Sequence, residues 1–374
     1  MSAAPRSASR FLLSAQGWPY LLVPFIPIAV ALEVVHASAE VIFFTAALGI
    51  VPTAALMGLA TEELAARSGP GIGGLLNVTF GNAPELIIAI FALAEGLQEV
   101  VKASIIGSII GNILLVLGAA MLVGGIGRER QRFNATAANV QSLMVFLAAA
   151  ALVMPAIFEL VEGQGLPQPR AEIVDYGSEV EQLSVAVAVV LMLTYVAGLV
   201  FSLRTHRALF NPPYEEEEET FGWSVRRSVI LLAIAGVAVG LMSEILVGSI
   251  AEASESVGLS EFFIGVIIVA IVGNAAEHWV AVLVAFKNKM DLAVNIAIGS
   301  SAQIALFVAP VLVLASFVLG PGPMALVFNG FEVGALLIAI MIANYVTHEG
   351  ESTWFEGVQL LAVYVILALA FLFA

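Results

Sequence analysis

Two short polar stretches interrupt long apolar segments of this chain, and each stretch ends in a glutamate. They are Gly81–Glu85, with the sequence GNAPE, and Gly273–Glu277, with the sequence GNAAE. A carboxylate near the middle of a bilayer costs on the order of 3 kcal/mol on insertion scales, so a chain that keeps one in each half is expected to use both. Carboxylate, amide and carbonyl oxygens together suit a small hard cation. The pair therefore predicts a cation-binding site made by Glu85, Glu277, Asn82, Asn274, Gly81 and Gly273.

Each stretch is also expected to break its helix. Gly is flexible, Asn competes for backbone hydrogen bonds, and Pro84 removes a donor and pushes Ala83 out of helical geometry. Unwound backbone at membrane depth is tolerated only where it is buried in protein or lines a wet cavity. A single copy would suit a proline kink beside a neutral, protonated glutamate equally well. Two copies in matching positions of two halves favour a transport site.

Other polar side chains recur near the two stretches. On the segments that follow them, four residues are expected to line the site, although small polar residues also serve helix packing alone. These are Ser108, Asn112, Ser300 and Gln303. Four titratable residues are candidates for proton transfer or gating, with a neutral hydrogen-bonded acid or a satisfied core histidine as the alternative. These are Glu62, Glu244, His278 and Glu332.

The composition indicates a membrane protein with many spans. The chain has 374 residues, 60% hydrophobic and only 11% charged, with no cysteine, and its mean hydropathy is +1.02. Soluble domains carry about 25% charged residues. The absence of cysteine excludes disulfides and thiolate metal sites. The basic patches of a nucleic-acid binder and the common hydrolase, zinc-protease and phosphate-loop motifs are missing from the sequence, so we expect a transporter, no enzyme, no cofactor and no nucleic-acid partner.

The fold class predicted from hydropathy is an all-α polytopic membrane protein with about eleven transmembrane helices, because about 20 apolar residues cross a bilayer. The expected spans are 18–36, 38–64, 70–96, 98–123, 135–158, 179–203, 224–250, 260–287, 290–319, 323–346 and 353–373. With the N-terminus in the cytoplasm, 12 of the 14 Lys and Arg residues fall on the cytoplasmic side, all but Lys102 and Arg170. This distribution predicts a cytoplasmic N-terminus and an external C-terminus.

Three landmarks recur in the same order in the two halves of the chain. The stretch GLATE at 58–62 corresponds to GLMSE at 240–244, the two glutamate stretches follow, and Gly-Ser pairs at 107 and 299 come third. The repeat has five spans, an odd number, so the second copy is expected to insert upside down, which places a substrate site near the middle of the membrane. We expect an extra N-terminal helix (1–37), a first repeat (38–203), an acidic cytoplasmic linker (204–223) and a second, inverted repeat (224–374). The linker contains five consecutive glutamates, 215–219, which are typical of a solvated segment.

The inverted arrangement would bring Glu85 and Glu277 face to face. Two carboxylates in one dry site do not both stay ionised alone, so either a proton or a cation is expected there. Ca²⁺ accepts six to eight oxygens in flexible geometry, whereas Mg²⁺ demands an octahedron and keeps its water. The paired acids with amide and carbonyl oxygens therefore favour Ca²⁺ as the transported ion.

These motifs resemble those of Ca²⁺/H⁺ antiporters of the cation/proton exchanger family, within the calcium/cation antiporter superfamily. The resemblance covers roughly 38–374 and rests on 81–87, 107–118, 273–277 and 299–308, with 350–364 similar to the family's last helix. It implies that Glu85 and Glu277 are the family's paired calcium- and proton-binding acids and that Asn82 and Asn274 are its motif asparagines. It also implies that Glu62 and Glu244 lie on mobile helices that gate the site. Pro84 departs from the family, which often has Thr there.

The resemblance implies exchange of Ca²⁺ for H⁺ by alternating access in a prokaryotic inner membrane. Ca²⁺, H⁺ and membrane lipid are the expected partners, and a homo-oligomer is left open. A Na⁺-coupled calcium exchanger of the same superfamily is the alternative reading, although such proteins carry extra Ser, Thr and Asp ligands that this chain lacks. A passive cation channel, which needs no coupling, is the second alternative.

Overall fold

The computed structural model describes residues 17–169, 175–205 and 222–374, and its secondary structure is almost wholly helical. A 3-10 helix, Trp18–Leu22, comes first. The helices that follow are α1 (Phe25–Val34), α2 (Ala39–Phe80), α3 (Ala83–Ala94), α4 (Gln98–Gly125), α5 (Ala135–Val161), α6 (Ser178–Thr205), α7 (Val225–Gly248), α8 (Ile250–Val257), α9 (Glu261–Phe286), α10 (Met290–Ala315), α11 (Gly330–Thr347) and α12 (Trp354–Phe373). Two short strands, β1 (Gln131–Arg132) and β2 (Glu351–Ser352), pair antiparallel.

Within the described ranges, nine helices are long and apolar enough to cross a membrane: the part of α2 up to Ser68, and α4, α5, α6, α7, α9, α10, α11 and α12. Two apolar elements, Trp18–Val34 and α3, are shorter. The prediction of an all-helical polytopic membrane protein is confirmed. The count of eleven spans is not, and it stays a prediction.

The first difference from the expected spans lies in α2. A loop was expected between 64 and 70, but α2 is helical through this region to Phe80. Its sharp bend is shown by the carbonyl oxygen of Ala65, which lies directly against Gly73. In a straight helix these two residues, eight positions apart, would be separated by about 12 Å along the axis. A Gly-Pro-Gly sequence at 69–71 accounts for the bend, since proline and glycine are the usual causes of sharp kinks.

The two glutamate stretches differ in backbone structure. In the first, α2 ends at Phe80, Asn82 leaves helical geometry with φ −97° and ψ 20°, and α3 begins at Ala83. In the second, α9 runs through residues 273–277 without interruption. The prediction of a helix break in the second stretch is therefore wrong. The physical reason is at the fourth position, where Pro84 lacks the N–H that Ala276 supplies to a helix.

Three helices contain π-helical turns close to the stretches of interest. They are Gly111–Val116 in α4, Ile264–Val269 in α9 and Ile304–Val308 in α10. The turn in α4 includes Asn112, and the turn in α10 directly follows Gln303, so both lie at residues expected to line a site. Such turns occur frequently at functional sites, because they change which side chains face inward.

The helices α4 and α10 lie in the middle of the core, and most of their residues are buried. Gly107 of α4 lies against the backbone of Val266 in α9, so closely that a Cβ there would overlap it. Helix α4 also packs on α12, α10 packs on α6, and α2 packs along α7. In the two proposed repeats α4 corresponds to α10 and α12 to α6, so the first two contacts are counterparts of each other. Helices α2 and α7 are counterparts that pack on one another.

The last difference concerns the span expected at 323–346. Helix α11 begins only at Gly330, and residues 324–329 form an extended, fully buried segment. Its backbone is satisfied by side chains, since Met324 N–H donates to Ser316 Oγ at 2.7 Å and Leu326 N–H donates to Ser184 Oγ at 2.9 Å. Hydropathy does not distinguish a buried extended segment from a helix, which is why the prediction began the helix too early.

Candidate functional site

The two motif glutamates each face the glycine of the other stretch. A Cβ placed on Gly81 would lie 3.2 Å from Oε1 of Glu277, and a Cβ placed on Gly273 would lie 3.1 Å from Cγ of Glu85. The structure thus brings together the two acids and the two glycines that the sequence analysis selected, in a reciprocal arrangement.

Glu277 faces a cavity of about 580 Å³. Ser300 Oγ donates a hydrogen bond of 2.8 Å to its Oε2, and Glu62 of α2 lines the same cavity. The cavity wall also includes Gly81, Gly273, Ser300 and Gln303. From these it extends past α6 and α9 to Leu203 and Lys287, so it reaches Glu277 from one side of the protein.

Glu85 is closed off from this cavity, although it is the counterpart of Glu277. Neither carboxylate oxygen has accessible surface or a hydrogen-bond partner among the described residues. Ser108 occupies the position in the first half that Ser300 occupies in the second, so it would be expected to bond to Glu85. The Ser108 hydroxyl instead accepts a hydrogen bond from Asn274 Nδ2 at 3.1 Å. The two halves of the site are therefore unequal in access and in hydrogen bonding.

The two motif asparagines are buried and use only their amide nitrogens. Asn82 Nδ2 donates to Gln303 Oε1 at 2.6 Å, and Asn274 Nδ2 donates to Ser108 Oγ and to the carbonyl oxygen of Ala270. Their side-chain oxygens, Oδ1 in both, have no partner within the part of the chain that the structure describes. Buried polar atoms in this condition call for an explanation, and an ion is one. Asn274 lies inside its helix and does not cap a helix start.

Of the remaining candidate residues, the structure places some at the cavity and others outside it. His278 Nε2 and Asn112 Oδ1 are 3.1 Å apart, and this pair lies behind the cavity wall, as does Ser108. Glu62 lines the cavity, whereas Glu244 is on the exposed face of α7 outside it.

Glu332 does not line the cavity and belongs to a helix cap. It is in the first turn of α11, not near the middle of a span, and its Oε2 accepts from the N–H of Asn329 at 2.8 Å. Asn329 Oδ1 in turn accepts from Glu332 N–H at 3.0 Å, which completes a capping box. A helix starts where the sequence predicted a helix middle, and the role of Glu332 in proton transfer or gating stays a prediction.

Sequence reasoning missed several polar residues of the cavity wall. Gln141 Nε2 of α5 donates a short hydrogen bond to Asn295 Oδ1 of α10, and both side chains line the cavity together with Asn77. Asn295 lies about one turn before Gly299 on the same helical face, which is a signal that was available. Gln141 had no such signal, since only the packing of α5 on α10 brings it there.

The donor atoms fit a hard divalent cation as the transported substrate. Four of the buried oxygens that lack partners in the described structure belong to the two motif stretches, namely both of Glu85, Oδ1 of Asn82 and Oδ1 of Asn274. The carboxylate of Glu277 adds two oxygens, one of which already accepts a hydrogen bond from Ser300. The described residues contain no cluster of three or more His, Cys, Asp or Glu side chains, so further ligands must be neutral oxygens. A mixture of two carboxylates with amide and hydroxyl oxygens is a typical Ca²⁺ donor set, and the absence of imidazole and thiolate donors disfavours softer metals.

Comparisons with known proteins agree with this geometry. The chain is 45% identical to a Ca(2+)/H(+) antiporter of Synechocystis, covering 94% of this chain and 96% of the relative. It is 44% identical to the Ca(2+)/H(+) antiporter ChaA of Bacillus subtilis, covering 94% and 97%. The structure of native YfkE superposes with a TM-score of 0.80 at 41% identity, covering 95% of this chain and 100% of that chain.

The model of one protein family matches both halves of the chain, over residues 38–204 and 227–373. The two matched ranges lie on either side of the acidic linker and include both glutamate stretches. This is an integral membrane protein, and the superfamily membership expected from the motifs is confirmed. The chain belongs to the sodium/calcium exchanger protein family.

Proposed function

We propose that the protein is a secondary active antiporter that exchanges Ca²⁺ for H⁺ across a membrane by alternating access. The observation that carries the proposal is the group of buried oxygens of Glu85, Asn82 and Asn274 that have no partner among the described residues, beside the carboxylate of Glu277. The relatives that are 44–45% identical are named Ca(2+)/H(+) antiporters, which supports this ion pair and a transporter without enzymatic activity.

Charge balance explains why Ca²⁺ and protons would exchange. With both glutamates ionised and no ion, the site would hold two buried, uncompensated charges, which is costly. One Ca²⁺ neutralises them, and so do two protons. Loaded states therefore cross more easily than the empty ionised state, and the two acids couple two protons to each Ca²⁺.

The inequality of the two glutamates supports alternating access. Glu277 is reached from the cavity, while Glu85 is enclosed, so the site is accessible from one side in this conformation. Exchange requires a second conformation that opens the site to the other side. The related packing of the two halves provides a basis for it, because inverted repeats can trade their conformations.

The distribution of Lys and Arg supports an orientation with the N-terminus in the cytoplasm, which for a prokaryotic protein means the inner membrane. In this orientation the cavity extends towards the cytoplasmic side, since Lys287, one of the cationic residues assigned to that side, lines it. Membrane lipid is the partner of the apolar outer surface, and the scheme works in a single chain without a homo-oligomer.

The experiment is Ca²⁺ uptake into proteoliposomes driven in turn by a pH gradient and by a Na⁺ gradient. Uptake is expected with the pH gradient alone, and apparent Ca²⁺ affinity is expected to weaken as pH falls. Glu85→Gln and Glu277→Gln should each abolish exchange while the protein remains folded. Glu95→Gln is the matched control, because Glu95 is exposed at the end of the same helix as Glu85. Uptake driven by Na⁺ would favour the alternative exchanger, and uptake without coupling would favour a channel.

A further inference from the structure

A buried cation lies outside the site described above. Lys102, in the second turn of α4, has no exposed surface. Its Nζ donates to the carbonyl oxygen of Val327 at 3.0 Å and to the hydroxyl of Tyr176 at 3.3 Å, and it forms an ion pair with Glu99. The ammonium also lies 5.1 Å from the centre of the Tyr176 ring. Lys102 is thus enclosed by oxygen atoms on several sides.

Such a position is unfavourable for a lysine by itself. The N-terminal end of a helix carries partial positive charge, and removal of an ammonium from water is costly unless it is paired and hydrogen-bonded. Burial raises the pKa of Tyr176 to about 12, so the phenol is neutral and accepts a hydrogen bond. The charged groups that face Lys102 are Glu99, on its own helix, and Glu332, at the start of α11. These partners are what keep Lys102 in place.

The partners of Lys102 belong to an extended segment and its surroundings. We call residues 323–329 the far-side segment. Its residues from Met324 to Asn329 are at most 1% exposed, although they form no helix. Besides the bond from Lys102 to Val327, the segment is held by Ser184 of α6, whose Oγ accepts from Leu326 N–H at 2.9 Å.

The far-side segment lies at the opposite end of the protein from the cavity. Helix α6 shows this, since its C-terminal residues, such as Leu203, line the cavity and Ser184 near its N-terminus contacts the segment. At 1.5 Å per residue, these two positions are about 28 Å apart along the helix axis. Lys102 and its partners therefore act on the side that is closed in this conformation.

The chain just before the far-side segment packs on the helix that carries Glu85. Gly320 lies against the carbonyl oxygen of Leu93 near the end of α3, and a Cβ on Gly96 would lie 3.5 Å from the ring of Pro321. Gln98 Nε2 donates to the carbonyl oxygen of Gly322 at 2.8 Å. Residues 320–329 thus cover the far-side ends of α3 and α4, beyond the enclosed carboxylate of Glu85.

We propose that Lys102 is a positioning residue for transport, which holds the far-side segment against α3 and α4 and so keeps that side closed. When the ammonium loses its contacts with Val327 and Tyr176, the segment separates and the far side opens. The inference rests on the proposed function only in assuming two alternating conformations. It does not depend on which ions are exchanged.

The test uses accessibility, since the chain has no native cysteine. Two reporters are made separately: Ala325→Cys in the far-side segment, which has 0% exposure, and Val284→Cys in the cavity wall. The labelling rate of each with a hydrophilic maleimide is compared in purified protein with Lys102 and with Lys102→Met. In Lys102→Met we expect labelling at position 325 to be faster by at least about tenfold, since a buried ion pair is broken. Labelling at position 284 should be slower.

A second variant removes a neutral contact, in case Lys102→Met fails to fold. Ser184→Ala deletes the acceptor for Leu326 and leaves Lys102 in place. We expect the same pair of opposite changes, by about fivefold, the shift that one typical hydrogen bond causes in an equilibrium. Ser142→Ala is the matched control, because Ser142 is also fully buried but bonds to Thr347, away from the segment. It should change neither reporter.

Opposite changes at the two reporters support the proposal, because opening one side closes the other. Faster labelling at both reporters means that the variant loosens the fold, and it would overturn the proposal, as would unchanged rates in Ser184→Ala. Labelling requires no transported ion. A failure of Ca²⁺/H⁺ exchange in proteoliposomes would therefore refute the proposed function and leave the result on Lys102 standing.

Discussion

Asn82 of the first repeat donates a hydrogen bond of 2.6 Å from its side-chain amide to Oε1 of Gln303, in the second repeat. This bond crosses between the halves beside the paired glutamates. It turns the side-chain oxygen of Asn82 away from Gln303, and that oxygen is buried with no partner in the part of the chain that the structure describes. Gln303 is thus placed to hold a candidate ligand in orientation, a role that we distinguish from binding the ion itself.

Replacement of Gln303 by leucine is expected to weaken Ca²⁺ binding. The amide of Asn82 loses its acceptor in a buried place, which costs about 1–3 kcal/mol, and the residue can satisfy it only by rotating its oxygen away from the site. We expect a roughly tenfold higher KM for Ca²⁺ with a smaller change in kcat. Exchange rates over a range of Ca²⁺ concentrations measure this. Gln164→Leu, at an exposed position, is the control, and an unchanged KM in Gln303→Leu would contradict the assigned role.

Replacement of Gly273 by alanine is expected to disturb Glu85 across the interface between the halves. The new Cβ would lie 3.1 Å from Cγ of Glu85, so the glutamate side chain must shift by a few tenths of an ångström. A cost of about 1 kcal/mol for this distortion weakens Ca²⁺ affinity about fivefold. Equilibrium binding by calorimetry measures the effect.

The matched control for this substitution is Gly334→Ala in α11, where a Cβ would have no heavy atom within 4 Å. Its binding should equal that of the wild type, since alanine also favours a helix. Equal affinities in the two variants would show that Gly273 does not need to be small.

Glu62 and Glu244 are expected to affect the rate of transport and to leave equilibrium Ca²⁺ binding intact. Glu62 lies in the cavity wall and Glu244 outside it on the exposed face of α7, and neither belongs to the group of enclosed oxygens. Each Glu→Gln variant should bind Ca²⁺ in detergent and exchange it more slowly in proteoliposomes. If Glu244→Gln removed binding as fully as Glu277→Gln does, a gating role would be wrong.

The expected topology places the linker and the C-terminus on opposite sides of the membrane. The linker residues 206–221 lie outside the described residues, so labelling is the appropriate measurement. With Glu217→Cys and Ala374→Cys made separately, a membrane-impermeant maleimide added to intact cells should label position 374 alone. Labelling of both positions from one side would refute an odd number of spans between the linker and the C-terminus.

Glu351 is expected to stabilise the fold in a pH-dependent way. It accepts from Arg130 Nη1 at 2.7 Å and forms a second ion pair with Arg132 at 3.2 Å. The hydrogen bond from Arg130 lowers the pKa of this carboxyl below its ordinary value of 4.5. A lowered pKa stabilises the folded protein above the ordinary value, and this contribution is lost as pH falls through the pKa of the folded state.

The Tm of Glu351→Gln should therefore be slightly below that of the wild type at pH 7, since exposed ion pairs contribute little. The difference should shrink as pH falls below 4.5. Glu252→Gln, at an exposed position in α8, controls for a change in net charge. A difference that stays constant from pH 7 to pH 3.5 would contradict the assignment.

Much of the class and of the site was determined by the sequence alone. Long apolar segments with few charges are a local property, and they predicted a helical membrane protein without knowledge of any contact. The glutamates at 85 and 277 stood out because a carboxylate in such a segment is costly, and their repetition indicated that two halves share one site. The asparagines and glycines of the same stretches followed from their spacing.

The tertiary structure decided the inequality of the two halves. Nearly identical stretches contain Glu277, whose carboxylate is bonded to Ser300, and Glu85, whose carboxylate is enclosed with no partner within the described ranges. A repeated motif predicts symmetry, whereas access from one side requires that the symmetry be broken by packing. Proline at 84 was visible in the sequence, but the unbroken helix at 273–277 shows that glycine and asparagine alone do not interrupt a helix that its neighbours support.

The contacts between distant parts of the chain also came only from the tertiary structure. Asn82 and Gln303 are 221 positions apart, and Lys102 and Val327 are 225 positions apart. Lys102 was noticed in the sequence only as an exception to the charge distribution. Hydropathy is summed over neighbouring residues, so it locates apolar segments but not the partners of a buried charge, which are set by how α4, α6 and the far-side segment pack in three dimensions.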